Sequence, residues 1–239
     1  MPARPPPYRS ILITGASSGI GAALALQFAA AGVELALGGR DRDRLEAVAA
    51  RCRQAGAVVR CARVDVGERE AMAAWVLEAD RTAPLDLVLA NAGTAGPGGS
   101  GGPGTARAIF AVNLEGVVNT ILPILPAMAG RRRGQIALMS SLAGFYGMPS
   151  APAYCASKAA VRVWGEALRG RLGRHGVAVS VICPGFVRTP MTAGNPFPMP
   201  LITTPERAAA LNAQRTRATS RPPADSADDR FPLPLCGRG

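Results

Sequence analysis

Lysine is almost absent from this 239-residue chain: Lys158 stands alone beside 26 arginines. Histidine is equally scarce. The single one, His175, follows the last turn of a long predicted helix, a place for a helix-end cation or a solvated side chain rather than a catalytic base. Five cysteines, Cys52, Cys61, Cys155, Cys183 and Cys236, show no CxxC or other metal-type spacing, so no metal site is expected and the thiols are expected to be reduced. Long apolar runs are missing too. Residues Met1–Ser10 lack the apolar core of a signal peptide, and the stretch closest to a membrane span, Val117–Ala129, is interrupted by Asn119, Thr120, Pro123 and Pro126. A cytoplasmic protein without a membrane span is the expectation.

Acidic side chains are outnumbered, and the formal net charge is +11. Such a charge suggests nucleic acid or an acidic membrane surface. Against that, aromatic residues make up 5% of the chain, the arginines are scattered over predicted helix faces and turns, and the one dense run, Arg131–Arg133, precedes a strand as a solvated turn. No nucleic-acid partner is expected, although a phosphorylated cofactor would be drawn to this surface.

The isolated lysine has a neighbour that gives it a purpose. Tyr154 precedes Lys158 by four residues, and on a helix that spacing places phenol and ammonium on one face. Lowering a phenol from its ordinary pKa near ~10 takes about 1.4 kcal/mol per unit, and a nearby cation can supply it. A compact ammonium serves a phenolate and a ligand hydroxyl better than a planar guanidinium.

Between Ser10 and Cys183, short β-branched or leucine-rich runs alternate with helical patterns, which predicts an α/β fold: a doubly wound, Rossmann-like parallel sheet with helices on both faces. Strands are expected near Ser10–Thr14, Glu34–Gly38, Val58–Val64, Leu85–Ala90, Gln135–Ser140 and Ala178–Cys183. Helices are expected over Gly19–Ala31, Asp41–Gln54, Glu68–Arg81, Thr105–Met128 and Ala153–Arg174. Residues 1–7 read as a flexible extension, 8–190 as the binding and catalytic domain, 191–214 as a substrate lid in which Thr204-Pro205-Glu206 caps a helix, and 215–239 as a weakly ordered tail. Gly93–Thr105, almost wholly Gly, Pro, Ser, Thr and Ala, should be a loop at the rim of the site.

The first strand runs into Thr14-Gly15-Ala16-Ser17-Ser18-Gly19-Ile20-Gly21 and then an apolar helix. Glycines at these positions permit a tight turn, approach of a pyrophosphate to the backbone, and close helix–sheet packing, with the anion at a helix N-terminus. After the second strand, where a carboxylate would hold a free ribose, stands Gly38-Gly39-Arg40. A guanidinium there favours a ribose phosphate, hence NADP(H), while Asp41 and Asp43 keep NAD(H) possible.

With the glycine loop, Asn91-Ala92-Gly93, Ser141 and Tyr154-x-x-x-Lys158 in this order, the chain resembles the short-chain dehydrogenase/reductase family over about residues 8 to 190. The resemblance implies hydride transfer between a nicotinamide and an alcohol or carbonyl. It implies Tyr154 as general acid/base, Lys158 as its partner and a ribose ligand, Ser141 (with Ser140 as rival) as the hydroxyl steadying the substrate oxygen, and Asn113 as the holder of a water leading to the lysine. The cofactor would rest on Gly15, Ser17, Ser18, Gly19, Ile20 and Gly21, with Arg40, Asp65, Val66, Asn91, Ala92 and Gly93 toward the adenosine. Pro184, Gly185, Val187 and Thr189 would serve the nicotinamide. Relatives of this kind associate through their two long helices, so a homodimer or homotetramer is implied.

One departure is visible. The seventh strand of the family pattern is hard to place, because Phe231-Pro232-Leu233-Pro234-Leu235 carries two prolines, so the sheet has six or seven strands. A nucleotide-binding regulatory or scaffold protein that has lost turnover is the alternative function. Leu142, Phe145, Tyr146, Met148, Phe186, Met191, Phe197 and Met199 predict an apolar, partly mobile mouth and a hydrophobic ketone or secondary alcohol, a small molecule, as substrate.

Overall fold

Six short runs dense in leucine, isoleucine, valine and alanine form six parallel strands: β1 Ser10–Thr14, β2 Glu34–Gly39, β3 Val58–Arg63, β4 Leu87–Ala90, β5 Gly134–Met139 and β6 Val177–Ile182. They make one sheet in the order β3-β2-β1-β4-β5-β6. The computed structural model describes residues 8–95, 103–195 and 198–219. Expectations for the extension at 1–7, for 96–102 of the glycine-rich loop, for Phe197 and for the tail beyond 219, with its Phe231–Leu235 run, lie outside the described residues.

Both faces of the sheet are covered, which is why its strands read as apolar runs rather than alternating ones. In β1, Ile11 and Ile13 enter one core with Leu24 and Phe28 of α1 (Gly19–Phe28), Leu45 of α2 (Arg42–Gln54) and Leu35 and Leu37 of β2. Leu12 points the other way, into a core with Met72 and Val76 of α3 (Arg69–Thr82) and with Val88, Ile136 and Leu138. Period-two alternation therefore divides one strand between two cores. Truncating a fully buried leucine such as Leu12 to alanine costs about 2–5 kcal/mol.

The helix expected over Thr105–Met128 is segmented. It consists of α4 (Pro103–Phe110), a π-helical turn over Ala111–Glu115, α5 (Gly116–Ile121), a 3₁₀ turn over Leu122–Ile124 and α6 (Leu125–Gly130). Pro123 and Pro126 stand at the starts of the last two segments, where a missing N–H breaks the regular ladder. The expectation that no apolar stretch reaches spanning length needs correction here. Thr105–Gly130 has the length and hydropathy of a span, by length and composition alone, and is partly buried inside the protein.

Beyond α7 (Pro152–Gly173) and β6, Thr204 caps α8 (Pro205–Ala218), its hydroxyl accepting from Arg207 N at 3.3 Å. The helix continues through Arg215–Ala218, where the sequence reading placed the start of a patternless tail. Its buried face is mainly alanine (Ala208, Ala209, Ala213) set against α1, a contrast too weak to show among arginines. Gln135 of β5 fastens it, donating from Nε2 to Thr216 O and to Ser180 Oγ, each at 2.8 Å.

β1 lies between β2 and β4, so the chain leaves its carboxyl end toward one side of the sheet and that of β4 toward the other. The crevice between those exits is where ligands bind in such sheets.

Candidate active site

The crevice is a cavity of about 440 Å³, within the range of small-molecule sites. Its floor is the turn from β1 into α1. Gly15 adopts φ +65°, a left-handed conformation natural to glycine, and a Cβ at Gly21 would fall 2.2 Å from the Gly15 carbonyl oxygen. Asn91 closes the arrangement from β4, its amide donating to Thr14 O at 2.9 Å and Gly15 O at 3.4 Å. Thr14 reciprocates, its hydroxyl accepting from Asn91 N at 3.0 Å and Ala92 N at 3.1 Å. Ser17, Ser18, Gly19 and Ile20 line the cavity, and the Ser18 side chain makes no capping bond, so the first amides of α1 are left for a ligand.

At the other end stand Ser141, Tyr154 and Lys158, all lining the cavity. Ser140 and Ser141 diverge, as alternation along an extended chain predicts. Ser140 is buried and donates to the Lys158 carbonyl at 2.7 Å, pinning α7 to β5. Ser141 accepts from Ala143 N at 3.1 Å and donates to Pro184 O at 3.5 Å, and it lies close enough to the Tyr154 phenol to act on its pKa. Burial raises the Tyr154 pKa, and the nearby Ser141 hydroxyl works in the opposite direction.

The Lys158 ammonium is almost wholly buried and donates to Met139 O at 2.9 Å. Desolvation pulls its pKa from 10.5 down to about 8. It lies 5.8 Å from the centre of the Tyr154 ring. The spacing predicts that this ammonium lowers the phenol pKa; in the structure burial is the largest influence on the phenol and raises it, while the ammonium donates to Met139 O.

Asn113 is fully buried rather than an exposed helix polar group, and it lies behind the cavity wall rather than on it. The π-helical turn carries it inward. Its Oδ1 accepts from Thr94 N at 2.8 Å, and its Nδ2 donates to Thr94 O at 2.9 Å and to Ser157 Oγ at 3.0 Å. Ser157 in turn donates to Tyr154 O at 2.7 Å. One amide thus ties the chain after β4 to the first turn of α7. Ser157 went unnoticed in the sequence, although Tyr154 and Lys158 on either side were the signal.

Arg40 and Asp65 face each other at 3.9 Å across the end of the crevice beyond β2 and β3, a loose and exposed pair. Asp65 also accepts from Gly67 N at 3.0 Å. Arg44 lines the same end and was missed; it stands one helical turn beyond Arg40, and its guanidinium meets the α2 cap Asp41 at 3.1 Å. Val66, Ala92, Gly93, Pro184, Gly185, Val187 and Thr189 complete the walls. The structure therefore brings every residue predicted to touch a cofactor to one crevice, and adds Arg44, Met191 and Thr192. No cluster of metal-ligating side chains occurs among the described residues.

A nucleotide-sized crevice at the carboxyl ends of a doubly wound sheet, with a tyrosine, a serine and a buried lysine at one end, defines a Rossmann-type dinucleotide enzyme. The short-chain dehydrogenase family model matches residues 9–196. An uncharacterised oxidoreductase of Myxococcus xanthus is 40% identical over 198 residues, covering 82% of this chain and 78% of that protein. Among solved structures, a short-chain dehydrogenase from Mycobacterium paratuberculosis bound to NAD superposes with a TM-score of 0.78 at 27% identity, covering 87% of this chain and 90% of that one. One from Sphingobium yanoikuyae in complex with NADPH superposes with a TM-score of 0.78 at 28% identity, covering 87% and 85%. The chain belongs to the short-chain dehydrogenase family of oxidoreductases.

The residues present fit a nicotinamide dinucleotide. A Cβ at Gly93 would lie 3.3 Å from both Lys158 Nζ and Asn113 Oδ1, so the missing side chain keeps the ammonium open to the crevice. That ammonium has three donors and one bond, to Met139, which leaves two for ligand oxygens.

Proposed function

We propose that the protein is an NADP(H)-preferring oxidoreductase that interconverts a hydrophobic ketone and its secondary alcohol, with Tyr154 as general acid/base. The observation that carries this reading is the convergence of Tyr154, Ser141 and Lys158 at one end of a crevice whose other end is the N-terminus of α1. A carbonyl oxygen accepting from both hydroxyls is polarised, and the developing oxyanion takes the Tyr154 proton. Bound in the crevice, a nicotinamide would supply the hydride for the carbonyl carbon, so one hydride and one proton balance the reduction. Lys158 holds ribose hydroxyls with its free donors and stabilises the phenolate left on Tyr154. Asn113 and Ser157 hold the α7 turn in register.

Arg40 and Arg44 support a phosphate on the adenosine ribose, since two guanidiniums and no carboxylate at positions 38 and 39 face that end. NAD(H) is the weaker ligand. Phe110, Leu122 and Val163, exposed on the long helices, support a homo-oligomer, which sedimentation measures directly.

Tyr154→Phe tests the mechanism, because it removes the acid/base group and keeps the ring. NADPH-dependent turnover should fall by three orders of magnitude or more, roughly the contribution of a positioned acid/base plus its oxygen contact. Cofactor affinity should stay within about twofold of wild type. Undiminished turnover would remove Tyr154 from the chemistry.

A further inference from the structure

Beside the crevice, large apolar side chains stand in solvent. Leu142, Phe145 and Tyr146, just after Ser141, are 59%, 61% and 72% exposed, and Leu201 is 98% exposed. Backbone bonds bring their segments together. Leu142 N donates to Pro184 O at 3.0 Å, Thr203 N to Phe186 O at 3.0 Å and Arg188 N to Thr203 O at 2.9 Å. The result is three adjacent strips, residues 142–146, 184–188 and 201–203. Hydrogen-bonded neighbours lie about 5 Å apart, so the surface is roughly 10 Å across. Its middle strip supplies Pro184, Gly185 and Val187 to the cavity wall, and exposed Met191 lines the cavity next to it. The apolar surface is a continuation of the crevice.

Two features show that this surface is built. Phe145 is held by the Arg162 guanidinium 4.4 Å over its ring, and Arg162 is anchored to Gly144 O at 3.4 Å and to Glu166 at 2.9 Å. Leu201 adopts φ +57°, a left-handed conformation disfavoured for a branched side chain, yet it buries nothing against the described residues. A handful of side chains offers far less than the roughly 1,200–2,000 Å² of a stable protein interface, so a bound molecule fits better than a second copy of the chain.

We propose that this surface is the groove for an unbranched alkyl tail, so that the substrate is a ketone or secondary alcohol near the end of a linear aliphatic chain. The tail leaves the crevice past Met191 and lies over Leu142 and Leu201, with Phe145 and Tyr146 along its edge. Arg188, exposed on the middle strip, can lay its stem along the same tail. The proposal rests on the oxidoreductase reading of the crevice.

The test is kcat/KM with NADPH over 2-ketones from 2-butanone to 2-dodecanone. Full burial of a methylene gives about a fourfold gain, and a half-covered groove about twofold, until the tail has crossed Leu201. Leu201→Gly suits the observed backbone, so it should melt no lower than wild type while the ratio of kcat/KM for 2-dodecanone over 2-butanone collapses toward one, mainly through KM. Leu142→Ser should reduce the same ratio from the opposite strip. A flat series in an enzyme that reduces 2-butanone overturns the groove and leaves the catalytic reading intact, as does Leu201→Gly altering sedimentation but not the ratio. No turnover with any ketone or alcohol of the series overturns both.

Discussion

Replacing Lys158 with methionine should stabilise the folded protein near neutral pH while abolishing its activity. The ammonium is buried, and the fall of its pKa from 10.5 to about 8 corresponds to roughly 3 kcal/mol for keeping it charged in the fold at pH 7. Methionine removes that cost. It also leaves Met139 O without its donor at 2.9 Å, a loss of about 1–2 kcal/mol. The variant should therefore be about 1–2 kcal/mol more stable at pH 7, near half a molar in urea midpoint. Because the folded pKa lies below the unfolded one, the unfolded chain binds more protons between about pH 8 and 10.5, and wild-type stability from this group rises across that window. By pH 10 its remaining cost is just under ~1 kcal/mol, and the order of stabilities should reverse. Urea unfolding of both proteins at pH 7, 8, 9 and 10 measures the difference directly, and other titrating groups cancel in the subtraction. A difference that stays constant over that range would refute the account of a charge held against desolvation.

Arg40→Ala and Arg44→Ala should each weaken NADPH by about ten- to a hundredfold and NADH by little, if each guanidinium contributes a charge-assisted phosphate contact of about 1.5–3 kcal/mol; fluorescence titration with both cofactors decides, and equal weakening would remove the phosphate reading. Ser157→Ala breaks the bond from Asn113 Nδ2 and the one to Tyr154 O, so kcat should drop about tenfold and the pH profile of kcat should move, with KM for NADPH unchanged. A loss of stability alone, with kcat and its pH profile as in wild type, would make Ser157 purely structural. Gly21→Ala places a Cβ 2.2 Å from Gly15 O and 2.5 Å from Asn91 Nδ2, which neither backbone nor lock can absorb; thermal melting should show the largest loss of these substitutions.

Much of this architecture was legible in advance because its determinants are local. The Gly15–Gly21 run, the strand cores around Ile11–Ile13 and Ile136–Leu138, and the Tyr154–Lys158 spacing announce themselves in a few consecutive residues. Asn113 was harder: its burial depends on a π-helical turn, and its partners Thr94 and Ser157 are 19 and 44 residues away. The break of the long helix at Pro123 and Pro126 was signalled, yet the apolar run around them argued for continuity. α8 was half seen, through the Thr204 cap, because its contact with α1 is made by alanines whose burial shows only in three dimensions. The direction of the Tyr154 shift could not be read at all. Spacing says that an amine is near, whereas desolvation sets the sign.

Because Lys158 is the chain's single lysine and lies buried, the exterior of this protein is without an accessible ε-amine. Acylating reagents, and enzymes that append groups to lysine, find no side-chain amine on its surface to act on. A probe selective for such amines would have one destination, and its rate of attachment would report directly on whether the crevice is open or filled.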